Sequence, residues 1–552
     1  MLDRPTQTDA DVEVGTVHAS LAQAVLDHGL TTMFGLMGDA NLFMVDHYVR
    51  RGGGTFVPVA YEGSAVLMAL AYSKFGHTVG VATVTHGPGF TNCLTALAEG
   101  VRGRTPMVLL AGDTAVSNPQ NLQNIDQREI AKAAGAGFEQ MRAPETASAD
   151  VAHAFYRARV ERRPVVLNMP VDAMWAECEH QTIVRPVFDD PVLLTQGDAL
   201  DEAIGIIASS KRPVVLAGGG AIGAEDAIVR LADRLQAPLA TTLKAKSMFR
   251  GHPYDMDIFG TLSAPAAYEA IDKADCVIAI GASLHHYTTD QGKLLDGKRV
   301  VQVNRDVAEI GRLYHPAGAL KGDARLTADN IVHWLDEAEI EPSGFTQELD
   351  GPTLRAHPPA TDKPSKEGTV PFVAALERLE EALPADRILT TDGGRFMTEV
   401  WCRVSAPDAK SFIATTNFGS IGIGLQHAIG AGFAVPDRPV VLFTGDGGFM
   451  MGGINEFNTA VRVGQDLIVV VCNDQAYGAE HIQFVDRQMD PGLSQFEWPS
   501  FAEVAVALGG EGVSVASLED LDAAVEAIAN RSRPLLIELR LDPDDVPRMR
   551  TG

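Results

Sequence analysis

The chain is poor in cysteine, in basic residues and in long apolar runs. Its five cysteines (Cys93, Cys178, Cys276, Cys402, Cys472) are odd in number, scattered and without CxxC spacing. That argues against a disulfide framework or a Cys-rich zinc site and fits a reducing compartment. Lys and Arg total 45 against 72 Asp and Glu, for a formal net charge of −27. Neither nucleic acid nor an anionic membrane attracts such a surface. No apolar stretch reaches the ~18–20 residues of a membrane span. The start, MLDRPTQTDADVEVG, is polar and acidic, unlike a secretory signal or an Arg-rich transit peptide, so the cytoplasm is the expected address. Aromatic residues make up only 6%, yet the 46% hydrophobic and 21% charged content is that of a globular protein. At roughly 100–200 residues per domain, the length suggests about three or four domains.

Short apolar runs alternate with helical patterns almost throughout, which predicts α/β units with parallel sheets. In the first third, TMFGL, TFVPVA, VGVATVT, PMVLLAG and RPVVLNMP read as strands; EGSAVLMALAYSKFG and GFTNCLTALAEGVRG read as helices. A Pro-containing stretch, VRPVFDDPVLL, reads as a linker. The pattern restarts with RPVVLAGGGAIG, PLATTL, CVIAIGA and RVVQVN, then fades into GFTQELDGPTLRAHPPATDKPSKEG, the clearest linker. It resumes with RILTTDGG, PVVLFTGDGG, DLIVVVCND and PLLIELRL. The expected architecture is three doubly wound parallel-sheet α/β domains, at 11–178, 190–336 and 370–545, with a linker at 337–369.

The most informative segment is PVVLFTGDGGFMMGGINEFNTAVRVGQDLIVVVCNDQAYG. Two apolar strands each end in an acid-containing turn, with one helix between. A βαβ crossover brings the carboxyl ends of parallel strands to one edge, so Asp446 is expected near Asn473 and Asp474. Gly445, Gly447 and Gly448 allow close backbone approach, and the N–H groups opening the next helix favour a phosphate. Hard oxygen ligands beside a diphosphate suit Mg²⁺ or Ca²⁺. A lone GDG would be an ordinary turn; the whole constellation is far more specific.

This constellation resembles the thiamine-diphosphate-dependent 2-oxo-acid decarboxylase and acetohydroxyacid synthase family, and the resemblance covers essentially the whole chain. It implies a pyrimidine-binding, a central and a diphosphate-binding domain in that order. Thiamine diphosphate and Mg²⁺ are the implied cofactors. The resemblance makes Asp446 a metal ligand. The usual spacing would select Asn473 as the second; anchoring on Tyr477–Gly478 selects Asp474, with the carbonyl of Ala476 as third. MMGGINEF looks one residue longer than its counterpart, which favours the downstream anchor. Glu62, opening the helix after VPVAY, falls where the family places the carboxylate that activates the aminopyrimidine. Alone it would read as an acid complementing a helix dipole.

Further carry-overs follow the same mapping. THGPGFTN, 85–92, matches a Gly-Pro-Gly turn of relatives. TTNFGSIGIG, 415–424, looks like the loop holding the aminopyrimidine, with the Gly419 carbonyl accepting from the 4′-amino group and Ile421 wedged between the rings. TTDGGRF, 390–396, would line the diphosphate through Gly394 and Arg395. Asp39, His86, Gln127 and Glu480 are pocket candidates, with His481 weaker. The paired histidines of the decarboxylase branch are absent, Gln123 and Asn124 standing nearest. Each has an ordinary alternative: Asp39 as a helix cap, His86 as a core histidine, Gln127 as surface, Ile421 as core, Arg395 as a solvated cation.

In the central segment, Gly218–Gly223 fits GxGxxG, but the next strand ends in Thr241, Thr242 and Lys244 instead of an acid, which argues against a nicotinamide dinucleotide. Ser283, His285 and His286 stand where FAD-binding relatives carry an Arg, so FAD is not expected. The implied activity is acetolactate-synthase-like carboligation, or decarboxylation of a 2-oxo acid, through an enamine intermediate. A 2-hydroxyacyl-CoA lyase or oxalyl-CoA decarboxylase is the enzyme alternative, since NLQNIDQREI resembles part of the latter's active-site loop. A catalytically silent, cofactor-binding or regulatory homologue is the alternative of another class. The resemblance also implies a homodimer at least, more readily a homotetramer, with sites at subunit interfaces.

Overall fold

The computed structural model describes residues 15–184, 195–360, 364 and 366–546. The stretch VRPVFDDPVLL beyond Val184, the first 14 residues and the tail past Val546 lie outside the described residues.

Three six-stranded sheets account for the alternating pattern, and every pairing within them is parallel. The N-terminal sheet contains β1 (Thr32–Gly35), β2 (Thr55–Pro58), β3 (Gly80–Val84), β4 (Met107–Asp113), β5 (Gly137–Gln140) and β6 (Pro164–Pro170), in the order β2-β1-β3-β4-β6-β5. The central sheet contains β7 (Pro213–Ala217), β8 (Leu239–Thr241), β9 (Asp255–Ile258), β10 (Cys276–Ile280), β11 (Arg299–Asn304) and β12 (Gly318–Lys321), ordered β9-β8-β7-β10-β11-β12. The C-terminal sheet contains β13 (Ile388–Thr391), β14 (Phe412–Ala414), β15 (Val440–Gly445), β16 (Leu467–Asn473), β17 (Glu511–Val515) and β18 (Leu535–Arg540), ordered β14-β13-β15-β16-β18-β17. The outer sheets thus share one topology, and the central sheet has the order of a dinucleotide-binding fold. Inner strands such as β4, β7 and β16 are buried nearly end to end, as sheets covered on both faces require.

One compact unit combines the N-terminal domain with Thr416–Pro436 and Asn458–Val463; the other holds the central domain and the rest of the C-terminal domain. In the first, α1 (Glu62–Gly76) is buried on nearly every face, and α3 (Gly424–Ala434) packs against it so closely that a side chain at Gly430 would meet the Met68 carbonyl. Between them in sequence lies α2 (Leu94–Gly103). The expected GFTNCLTALAEGVRG helix is therefore broken, into a turn at Pro88–Thr91 and α2.

In the second unit, the stretch expected as a linker, 337–369, is anchored by Phe345 and Leu354, buried in the central core, and Val370 just beyond it is buried in the C-terminal core. The apolar anchors are spaced too widely to register as a period. The Gly218–Gly223 turn is also packed: Gly218 N–H donates to the Ile280 carbonyl at 2.8 Å, and Gly220 N–H to that of Gly281 at 3.1 Å. A Cβ at Gly218 would stand 2.3 Å from the Gly281 oxygen, so glycine here serves the approach of two turns. Among the described residues, no helix is long and apolar enough to cross a membrane. All five cysteines are free.

Candidate active site

In the C-terminal sheet, strand order reverses between β13 and β15, the kind of switch point at whose carboxyl ends open α/β sheets bind ligands. Thr390–Phe396 leaves β13 there, and Gly445–Gly448 leaves β15. Asp392, which sequence reasoning missed, ties the turns together: it accepts from the Gly393 N–H at 2.8 Å and from the Thr444 hydroxyl at 3.0 Å.

Asp446 and Asp474 end the neighbouring strands β15 and β16 and are both buried. Burial pushes both carboxyls well above the ordinary range, and Asp474 is raised further because Asp446 faces it. The Trp498 indole N–H donates to Oδ2 of Asp446 at 2.8 Å, and the Ala476 N–H to Oδ1 of Asp474 at 3.1 Å. Asn473 is occupied elsewhere: its Nδ2 donates to Glu538 at 2.8 Å and its Oδ1 accepts from the Gln475 N–H at 3.1 Å. Two adjacent buried carboxylates with a backbone turn beside them form a hard oxygen donor set, and a divalent cation would relieve their mutual repulsion. These residues fit the metal.

The other candidates of this half divide. Gly447 and Gly448 are buried in the first helical turn after β15, and Tyr477 precedes α4 (Gly478–Asp486). The Arg395 guanidinium donates to the carbonyls of Pro543 and Val546 in the segment following β18. Glu480 is exposed on α4. His481 is buried and turned to the same segment, with Nε2 2.9 Å from Asp544. Tyr477, Phe496 and Trp498 form a ring ladder beside the acids; it was missed because Trp498 lies far from GDGG in sequence.

In the N-terminal domain, Glu62 stands in the first turn of α1 with Oε2 accepting from Asn92 Nδ2 at 3.0 Å. Asp39 and His86, following β1 and β3, are brought together with Nε2 3.4 Å from Oδ1; Thr85 also donates to that oxygen at 3.1 Å. The following helix, Leu42–Arg50, starts without a side-chain cap hydrogen bond, so Asp39 does not cap it; Asn41 Oδ1 accepts from the Gly38 N–H in the turn before it at 2.8 Å. Gln127 is buried, not at the surface: Oε1 accepts from the Gly87 N–H at 2.9 Å, and Nε2 donates to Gly112 O at 2.9 Å and Asn168 at 2.6 Å. It fastens the Gly-Pro-Gly turn. In the 415–424 loop, Gly419 has φ of 84° and is exposed, and Ile421 is half-buried.

Three family models match in sequence order: thiamine pyrophosphate enzyme N-terminal TPP binding domain at 15–134, central domain at 200–331 and C-terminal TPP binding domain at 392–539. The chain belongs to the thiamine-diphosphate enzymes. It is 29% identical to a sulfoacetaldehyde acetyltransferase of Alcaligenes xylosoxydans xylosoxydans, over 93% of this chain and 90% of that protein. It is 27% identical to the acetolactate synthase isozyme 2 large subunit of Escherichia coli, over 95% and 94%. A protein of Pseudomonas aeruginosa named as a probable 2-ketoarginine decarboxylase is 26% identical, over 95% and 94%. This thiamine-diphosphate enzyme therefore works in carboligation or decarboxylation, consistent with the carboxylate pair at the switch point.

Proposed function

We propose that this enzyme holds thiamine diphosphate through Mg²⁺ bound by Asp446, Asp474 and the carbonyl of Ala476, and uses it to join or cleave carbon–carbon bonds next to a carbonyl. The observation that carries this reading is the buried Asp446–Asp474 pair at the ends of adjacent strands, beside a glycine turn at the switch point. When bound, the cofactor supplies a nucleophilic carbon and an electron sink for the bond that breaks. The protein's part is orientation and proton handling. Gly445, Gly447 and Gly448 offer backbone N–H groups and close approach to the diphosphate, with Gly394 and Tyr477 on the flanking turns. The Gly419 carbonyl and Ile421 hold the pyrimidine ring, and Glu62, steadied by Asn92, keeps a proton at its ring nitrogen.

The substrate class is a 2-oxo acid donor with an aldehyde or second oxo acid as acceptor. The Asp39–His86 pair supports a second outcome, in which a proton is delivered and an aldehyde released. Glu480 and His481 lend that outcome less support, one being exposed and the other turned to Asp544. The acidic sequence and unpaired cysteines favour the cytoplasm. By resemblance to the family, in which the domain of Glu62 meets the diphosphate-binding domain of a second subunit, a homodimer or homotetramer with shared sites is the assembly proposed. A product screen with pyruvate, longer 2-oxo acids, 2-ketoarginine, sulfoacetaldehyde and acyl-CoAs tests the reading. Carbon dioxide release with a 2-hydroxy ketone or acetohydroxy acid is expected. Turnover of acyl-CoAs alone would shift the assignment to CoA-ester cleavage, and cofactor binding with no turnover would favour a silent homologue.

A further inference from the structure

Glu99 sits in the middle of α2 and is 1% exposed. A carboxylate in that setting is costly unless donors satisfy it. Three do. Oε1 accepts from the Asn417 N–H at 3.2 Å and from Asn417 Nδ2 at 2.6 Å; Oε2 accepts from the Phe418 N–H at 2.7 Å. All three donors are neutral and lie on the loop entering Gly419. His427 of α3 is close enough to feel the charge, but its Nδ1 is occupied at 2.8 Å by the Ile423 carbonyl, at the far end of the same loop. The loop is thus gripped at its root, while its tip at Phe418 and Gly419 is exposed.

We infer that Glu99 is a positioning residue for the cofactor's pyrimidine: by fixing the backbone of Asn417 and Phe418, it sets where the Gly419 carbonyl and Ile421 stand. The inference rests on the proposal that Gly419 and Ile421 hold that ring. A carboxylate suits the task because both its oxygens accept, whereas an amide would turn an NH₂ toward one of the backbone N–H groups.

The experiment compares the affinity of Mg²⁺-loaded protein for thiamine diphosphate with that for inorganic pyrophosphate, which lacks the pyrimidine. In Glu99→Gln, thiamine diphosphate affinity is expected to fall about tenfold or more, as for a lost charge-assisted hydrogen bond, with pyrophosphate affinity unchanged. At saturating cofactor, exchange of the thiazolium C2 proton into D₂O should also slow. Equal loss of both ligands, or loss of neither, overturns the inference. Ile421→Ala, measured in parallel, should show the same selective loss; if it does not, the loop's assignment to the ring fails and the inference with it. Should Glu99→Gln not fold, Asn417→Ala removes only the Nδ2 contact, and the same selective loss is expected; equal or absent loss again overturns the inference.

Discussion

Trp498 holds Asp446: the indole N–H meets Oδ2 at 2.8 Å, across 52 positions of sequence. One carboxylate oxygen is thereby fixed, which orients the other. Groups that orient metal ligands are commonly worth about 10–100-fold in metal affinity. Trp498→Phe keeps the stacked ring and removes the donor, so Mg²⁺ affinity measured by calorimetry should fall about tenfold. Unchanged affinity would remove Asp446 from the ligand set or Trp498 from its support.

Asn473 and Asp474 should separate cleanly. Asp474→Ala should abolish the rise in melting temperature that Mg²⁺ and thiamine diphosphate together produce, because only native-state binding stabilises. Asn473→Ala should leave that rise intact but lower stability by about 1–3 kcal/mol, since buried Glu538 loses a donor. The reverse pattern would make Asn473 the ligand.

Removing the metal should make stability depend on pH in a definite direction. Both acids have folded pKa values above the ordinary 3.8, so the metal-free fold retains protons that the unfolded chain releases. Their favourable contribution is present below the ordinary range and is lost as pH rises through the raised values. The melting temperature of chelator-treated protein should therefore decline on going from mildly acidic to mildly alkaline buffer, and Mg²⁺ should restore more of it at higher pH. A stabilising effect of Mg²⁺ that fades with rising pH would contradict the assignment.

Shared sites can be tested by mixing inactive subunits. Glu62→Gln should cut turnover by about 10²–10⁴-fold, the usual worth of a proton-handling group. Asp446→Ala should lose the cofactor. Heterodimers of the two should recover partial activity; demonstrated heterodimers without activity would place Glu62 and Asp446 of one chain in one site.

The inner strands were legible because a strand buried on both faces needs an unbroken apolar run. GFEQ, DMDI, GALK, FIA and EGVSV were not recognised, and each forms an edge strand, β5, β9, β12, β14 or β17. Edge strands are short and need less apolar sequence. The segment MMGGINEF, expected to be one residue longer than its family counterpart, overlaps a π-helical turn at Phe449–Gly453. The partners of Gln127 and Arg395 are not legible locally, because Asn168 and Pro543 lie 41 and 148 positions away. The same reason hid Glu99, whose partner Asn417 is 318 positions distant. Local pattern conveys which edge of a sheet a side chain occupies; its partners are set by packing between segments.

The contact between the Gly218 and Gly281 turns bears on what the central domain can become. Its strand order is that of a nucleotide binder, but the two turns that would flank a ligand are hydrogen-bonded to each other. A Cβ at Gly218 would run into the Gly281 carbonyl, so neither turn can be rebuilt alone. Enlarging a side chain at one turn would not create a binder, because the opposing backbone would have to move as well. Installing a regulatory nucleotide here means redesigning two loops together.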